Sequence, residues 1–393
     1  MRTIEKYLIA LYFFISPVEI ALHLLVTSST KYIGLLILLV EACVLVSRSR
    51  ESVISLSFSS MAIILWTVYC IISLTWVSIN EHTYEYITTY VLMSALLLVT
   101  TFELWDSKTI KLFKNSYLLG SLIMAIVSIA FAGGKYLDRE TVVIMGRECD
   151  PNQVAANILP GIVIFLDYAL RKQKKLIINF LGYMGAAFCI YAIFMTGSRG
   201  GFVGLSISIL SVLIISIRNK RLTVTHVIFA VLISIIGFSL MLRNQNWRVL
   251  DFESYTGTYA NGSSRTVIWK KLLESFDISW LWGHGVSGSL NYFQNVVGRP
   301  IAVHNTFLLV LYEVGILGFG IYIFSYVNMA YYHRKNAVLF SILVGSLVCS
   351  IFLDALNLRY IWNSLILCIM QYNIESSLQI NEINKQYNYK YIK

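Results

Sequence analysis

Charge is scarce in this chain of 393 residues: Asp, Glu, Lys and Arg together make up 13%, about half the share usual in soluble domains. A globule of that composition would expose large apolar patches to water and aggregate. A soluble enzyme, a disordered tail and a secreted disulfide scaffold are therefore excluded. Proline is scarcer still, with four residues, as suits a chain built mainly of uninterrupted helices. Of the six cysteines, Cys43, Cys70, Cys189, Cys349 and Cys368 fall inside apolar runs, and Cys149 alone stands in a polar loop. Neither zinc-ligand spacing nor paired thiols can be read from them. There is no P-loop, no dinucleotide fingerprint and no His/Cys cluster, so no cofactor and no metal are expected. Asp251 and Glu253, one residue apart, are weak evidence for a metal site.

What the chain has is apolar length. Hydrophobic residues supply 57% and the mean hydropathy is +0.68, which reads as an all-α polytopic membrane protein. The net charge of +10 does not point to nucleic acid, because the cations sit in short clusters between apolar runs rather than on one basic face. A span needs about 20 mostly apolar residues. Segments that qualify lie near 7–26, 31–47, 56–77, 84–102, 116–133 and 152–170, then near 176–196, 201–217, 223–242, 303–330, 337–353 and 359–374. That is about 12 transmembrane helices, with both termini on one side. With the N-terminus cytoplasmic, every inner segment is basic, including Arg48 and Arg50, Lys108 to Lys114, Arg171 to Lys175, and Arg218 to Arg221. The outer segment 78–85 holds no Lys or Arg, so the pattern obeys the positive-inside rule. Arg2 and Lys6 precede an apolar stretch too long for a signal peptide and without a convincing cleavage site, so it reads as an uncleaved first span. The organisation expected is spans one to nine over 1–242, an extracytoplasmic loop with an amphipathic helix over 243–302, spans ten to twelve over 303–374, and a polar cytoplasmic tail over 375–393. A second outer segment runs from about 134 to 151. Long loops in a compact membrane protein are usually functional. No internal repeat of the transporter kind is evident.

Three motifs carry chemistry, and all fall on the outer side. Thr196-Gly-Ser-Arg-Gly-Gly201 joins two spans. Ser198 suits a helix N-cap, and Gly200 and Gly201 bring backbone N–H groups to a helix N-terminus that favours an anion. Arg199 is repelled by that dipole unless an anion is bound; the plainer reading is a snorkelling interfacial Arg. The second motif, Asn261 to Phe276, predicts a helix over about 264–276. Its face of Ile268, Trp269, Leu272, Leu273 and Phe276 also carries Arg265, while Lys270, Lys271 and Glu274 turn to water. Arg265 on that face suits an anion; the alternative is a cation–π or capping role with Trp269. The third is Val303-His304-Asn305-Thr306-Phe307-Leu308. His304, partly desolvated, could act as general base towards a sugar hydroxyl, or hydrogen-bond a carbonyl as a structural histidine. Asn305 beside it is a candidate for binding the glycan.

Other positions have plainer readings. Glu313 lies nine residues on, about 180° round the helix from His304, so it is expected to pair with another helix. Asp150-Pro151-Asn152 opens a span with ordinary capping chemistry. Arg147 could line a glycan or phosphate site, or pair with Glu148 or Asp150. Glu19 with His23, and Asp167 with Arg171, have the i, i+4 spacing of local structural pairs.

These residues together resemble the O-antigen ligase/O-antigen polymerase family. The resemblance rests on TGSRGG at 196–201, the Arg265 helix with Trp282-Gly283-His284-Gly285 after it, HNTFLLVLYEVGILG at 304–318, and Asp150-Pro151-Asn152. It covers roughly 150–160, 190–205 and 261–320, whereas the first 130 residues agree only in hydropathy and span number. The resemblance implies a GT-C-like helical fold in the bacterial inner membrane. It also implies transfer of a glycan from an undecaprenyl-pyrophosphate donor at the periplasmic face, without metal or nucleotide sugar. Carried over residue by residue, Arg199 and Arg265 would bind the pyrophosphate and His304 would activate the acceptor. The form of the two glycine- and histidine-containing motifs leans towards a polymerase, which extends a second lipid-linked repeat. The alternative is a ligase delivering chains to lipid A-core. The resemblance also allows for a chain-length regulator as partner. A reading of a different class is a transporter or flippase of lipid-linked sugar, motivated by the span number and by Glu41 and Glu313 inside spans.

Overall fold

The computed structural model describes residues 2–25, 29–47, 56–102, 104–136, 139–144, 146–171, 176–223, 226, 228 and 265–391. Before the long outer segment run α1 (Arg2–Ile15), α2 (Glu19–Leu22), α3 (Ser29–Ser47), α4 (Phe58–Ile72), α5 (Glu81–Phe102) and α6 (Ser107–Ala130). They continue as α7 (Pro151–Leu170), α8 (Leu176–Met195) and α9 (Arg199–Arg218). Beyond it lie α10 (Arg265–Glu274), α11 (Gly288–Val297), α12 (Thr306–Tyr332), α13 (Ala337–Ser350) and α14 (Arg359–Tyr391). Among the described residues, seven helices are long and apolar enough to cross a bilayer, α4 counted with its continuation to Thr75. Apart from residues 223, 226 and 228, the expected ninth span at 223–242, the loop up to residue 264 and the Asp251/Glu253 pair lie outside the described residues. The first apolar run is not one straight helix. It breaks after Ile15, where Pro17 cannot donate to the helical ladder, and resumes as the single turn of α2. The segment expected as loop near 134–151 folds instead into a small antiparallel sheet, β1 (Ala132–Tyr136), β2 (Arg139–Ile144) and β3 (Arg147–Glu148), with Ile144 opposite Arg147. The last helix runs on from the twelfth expected span into the polar tail.

The helix ends sort by chemistry. At one end α7, α9 and α12 all begin, each with a side-chain cap: Asp150 accepts from Asn152 N, Ser198 from Gly201 N, and Asn305 from Phe307 N and Leu308 N. At the other end Asp167 gathers Arg171 and Arg221, the latter at 3.1 Å. There Asn219 also donates to the Lys335 carbonyl at 3.1 Å. The expected Asp167–Arg171 pair is therefore present, with a second guanidinium added.

Glycines decide one crossing. Helix α12 is broken at Gly315 (φ 67°, ψ −175°). The carbonyls of Tyr312 and Glu313 would in a regular helix accept from residues 316 and 317. They accept instead from His284 N at 2.9 Å and Gly285 N at 2.7 Å. The imidazole of His284 stacks on Tyr312, 4.1 Å between ring centres, and Ser289 Oγ donates to Glu313 Oε1 at 2.7 Å. Glu313 thus pairs with another helix, as its position in the sequence suggested. A Cβ on Gly283 (φ +85°) would collide with the Glu313 carbonyl, and one on Gly315 would stand 2.5 Å from Gly283 N. Gly283→Ala combines that collision with a left-handed backbone, so we expect a loss of at least ~2 kcal/mol. The check is the melting temperature of the detergent-purified protein; an unchanged value would contradict so close a crossing.

Candidate functional site

Three segments distant in sequence meet where α7, α9 and α12 begin, around the link between α13 and α14. Thr306 Oγ1 accepts from Ala355 N at 2.7 Å and donates to the Leu353 carbonyl at 2.6 Å, which fastens α12 to the 353–355 turn. Asn305 N donates to Asp354 Oδ1 at 3.3 Å. Gly200 packs against Phe352 so closely that a Cβ would stand 2.7 Å from the Phe352 Cβ. The Arg265 helix joins from the side: Trp269 Nε1 donates to the Val303 carbonyl at 2.9 Å, one residue before His304.

Each side chain expected to act can be placed against this hub. His304 and Arg265 both lie within electrostatic reach of Asp354. The His304 backbone is left-handed (φ 53°), an unusual state for a residue with a side chain; it turns the chain from the 299–303 segment into the capped start of α12. Arg199 is the first residue of α9, next in the chain to the Gly200 that packs on Phe352. Ser198 is fully engaged, accepting from Gly201 N at 3.0 Å and donating to Asn152 Oδ1 at 2.7 Å. Gly201 abuts Ala155 of α7 with no room for a Cβ, so both glycines serve close packing around the loop as well as the turn. Asn305 spends its amide oxygen on the cap of α12. Arg147 is exposed on β3, and among the described residues no ion pair joins it to Glu148 or Asp150. In α10, Ile268 and Leu272 are buried while Leu273 is exposed, as is Phe276, which lies beyond the helix end at Glu274 rather than inside the expected helix. The buried stripe is thus narrower than the wheel predicts, because only the i, i+4 pair and Trp269 face protein.

Asp354 escaped the sequence reading. It sits in an otherwise apolar link, Ile351-Phe-Leu-Asp-Ala-Leu356, and its position outside any expected span was the one available signal. Burial pushes its carboxyl above the ordinary carboxylate range, while His304, the backbone N–H groups of His304 and Asn305, and Arg265 pull the other way. Helix N-termini from α7, α9 and α12 converge here with the Arg265 guanidinium within electrostatic reach, a field suited to a multiply charged anion. One carboxylate beside an imidazole adds the pairing that holds a general base in position. Among the described residues no group of three or more His, Cys, Asp or Glu is placed to hold a metal.

Residues 184–323 match the model of a family described as O-antigen ligase. That stretch takes in most of α8, then α9, α10, α11 and α12 as far as its deep half, and stops short of Asp354. No curated protein and no solved structure matches the chain. Arg199, Arg265 and His304 all lie inside the matched stretch, so residues 184–323 carry an O-antigen ligase family domain within a chain whose several long apolar helices mark a multi-pass membrane protein.

Proposed function

We propose that this protein transfers a glycan from an undecaprenyl-pyrophosphate carrier to a sugar hydroxyl, at the non-cytoplasmic face of the bacterial inner membrane. The observation that carries the reading is the meeting of His304, Arg265 and the Arg199 loop around the 352–355 link. In this scheme His304 takes the proton of the acceptor hydroxyl as its oxygen attacks the anomeric carbon. The bond from that carbon to the pyrophosphate oxygen breaks. Arg199 and Arg265 stabilise the charge that builds on the departing diphosphate, so that the chain's own cations do what a metal would otherwise do. The clustering of Arg171, Arg221 and Lys335 at the opposite end supports placing the site away from the cytoplasm.

Within this chemistry the polymerase reading, in which the acceptor is a second lipid-linked repeat, follows the form of the two motifs. The description of the matched family favours a second reading, a ligase delivering chains to lipid A-core. Deleting the gene and running the surface polysaccharide on a gel separates them. One repeat on lipid A-core means a lost polymerase, and full chains stranded on the carrier mean a lost ligase. Unaltered polysaccharide would remove both, and carrier-linked repeats confined to the cytoplasmic leaflet would point to the transporter.

Asp354 is proposed as the positioning residue for His304. Asp354→Asn should slow transfer by ~10- to 100-fold, the worth of one charged hydrogen-bond partner. The loss should fall on kcat with KM for the acceptor little changed, because what is removed is the partner that holds the base in place. Stability should respond differently. The folded protein holds the Asp354 proton more tightly than the unfolded chain does. Its stabilising share is therefore present below the ordinary Asp value of about 3.9 and is lost as pH rises through the raised value. At neutral pH the melting temperature of Asp354→Asn should equal or exceed the parent's. A large fall in melting temperature with kcat unchanged would make Asp354 merely structural.

A further inference from the structure

A recess opens at the same end of the bundle, beside the Asp354 hub. Its volume is about 240 Å³, many times the ~10–15 Å³ that seats one water. Its walls come from the break after α1, the starts of α3, α5 and α7, and the link into α14. Two of those walls are shared with the hub. Gln153 and Asn157 stand one turn apart on α7, whose Asn152 accepts the Ser198 hydroxyl proton, and Asn357 follows Asp354 on the same link.

The recess and the hub differ in chemistry. Glu19 and Glu85 balance Lys31 and Arg359 along its walls, and His23 is the further titratable side chain there, so with a neutral imidazole a diphosphate would find no excess of positive charge. Its arrangement is braced: Arg359 lies 3.4 Å from Glu19 and donates to Thr30 Oγ1 and to the Asn357 carbonyl, each at 3.0 Å. Three side-chain amides line it; Asn157 Nδ2 donates to the Gln153 carbonyl at 2.9 Å, and Gln153, Asn357 and the Asn157 oxygen between them supply donors and acceptors. Asn357 Oδ1 is buried with no hydrogen-bond partner among the described residues. Only Ile20 and Leu358 are apolar among the residues lining it, which gives an isoprenoid chain no bed. Closely spaced donors and acceptors of zero net charge match a ring bearing several hydroxyls.

We infer that this recess is a saccharide subsite, holding uncharged sugar of the glycan whose reacting end lies at the hub. The assignment depends on the transferase reading for which glycan it serves, and on the recess itself for the sugar chemistry. The test uses the full-length protein in detergent, with glucose, galactose, rhamnose and N-acetylglucosamine as probes of saturation transfer by NMR. Phosphorus line broadening of inorganic pyrophosphate is recorded on the same samples. Saturation transfer to at least one sugar is expected, weakened at least ~10-fold in Gln153→Leu and in Gln153→Leu/Asn157→Leu, with pyrophosphate broadening unchanged. The single variant alters a half-buried position and covers the case in which the double one fails to fold. Sugar signals absent from the parent protein, or equal in parent and variants, overturn the subsite. Sugar signals that respond as expected while pyrophosphate never broadens support the subsite and overturn the diphosphate reading instead.

Discussion

His304→Gly should lower glycan transfer by ~10²- to 10⁴-fold, the range over which a positioned general base acts. Glycine is the informative replacement here because the residue is left-handed, with φ 53°. Alanine would resist that backbone, whereas glycine accepts it without cost. The turn into α12, the Asn305 cap and the bond from Asn305 N to Asp354 are then retained, and the imidazole alone is lost. Protein level and melting temperature should match the parent's, so that the loss can be read as chemistry. Glycan of normal length and yield from a His304→Gly strain at normal protein level would end the assignment of this residue as the base.

Arg199→Ala is the second large effect. Charge-assisted hydrogen bonds to a diphosphate contribute ~1.5–3 kcal/mol each, so turnover should fall ~10- to 150-fold. Arg199→Lys should remain poor, because a compact ammonium lacks the planar fork that meets phosphate oxygens in pairs. Arg265→Ala should cost a similar factor. If both guanidiniums hold one diphosphate, the double variant should lose less than the product of the single losses, since the two share a partner. Full multiplication of the two losses would instead place them on separate ligands. Unchanged transfer in both single variants would remove the anion site altogether.

Different parts of this arrangement were legible to different degrees, and for physical reasons. The caps at Ser198 and Asp150 follow a local grammar of one polar side chain before an apolar run, and each is found opening its helix; Asn305, read as a glycan-binding candidate, proves to be a cap of the same kind. The apolar runs themselves mark spans because hydrocarbon demands length. Asp354 has no such grammar: a lone acid among Phe352, Leu353, Ala355 and Leu356 acquires meaning only when His304 and Arg265 arrive from elsewhere. The break in α12 was equally hidden, because HNTFLLVLYEVGILG reads as an unbroken helix. The donors that replace its lost bonds come from His284 and Gly285, some thirty residues upstream. The sheet at 132–148 is held by pairing across short strands with little periodicity to betray it.

The exchange of backbone bonds between the 283–285 segment and α12 also bears on modularity. Surface connections can usually be shortened, swapped between relatives or replaced by spacers, because their backbone bonds are their own or the solvent's. Here the connection supplies N–H groups on which two carbonyls inside a membrane helix depend, where lipid can offer no substitute. A chimera that imports a foreign stretch across 279–297 must import the matching helix with it.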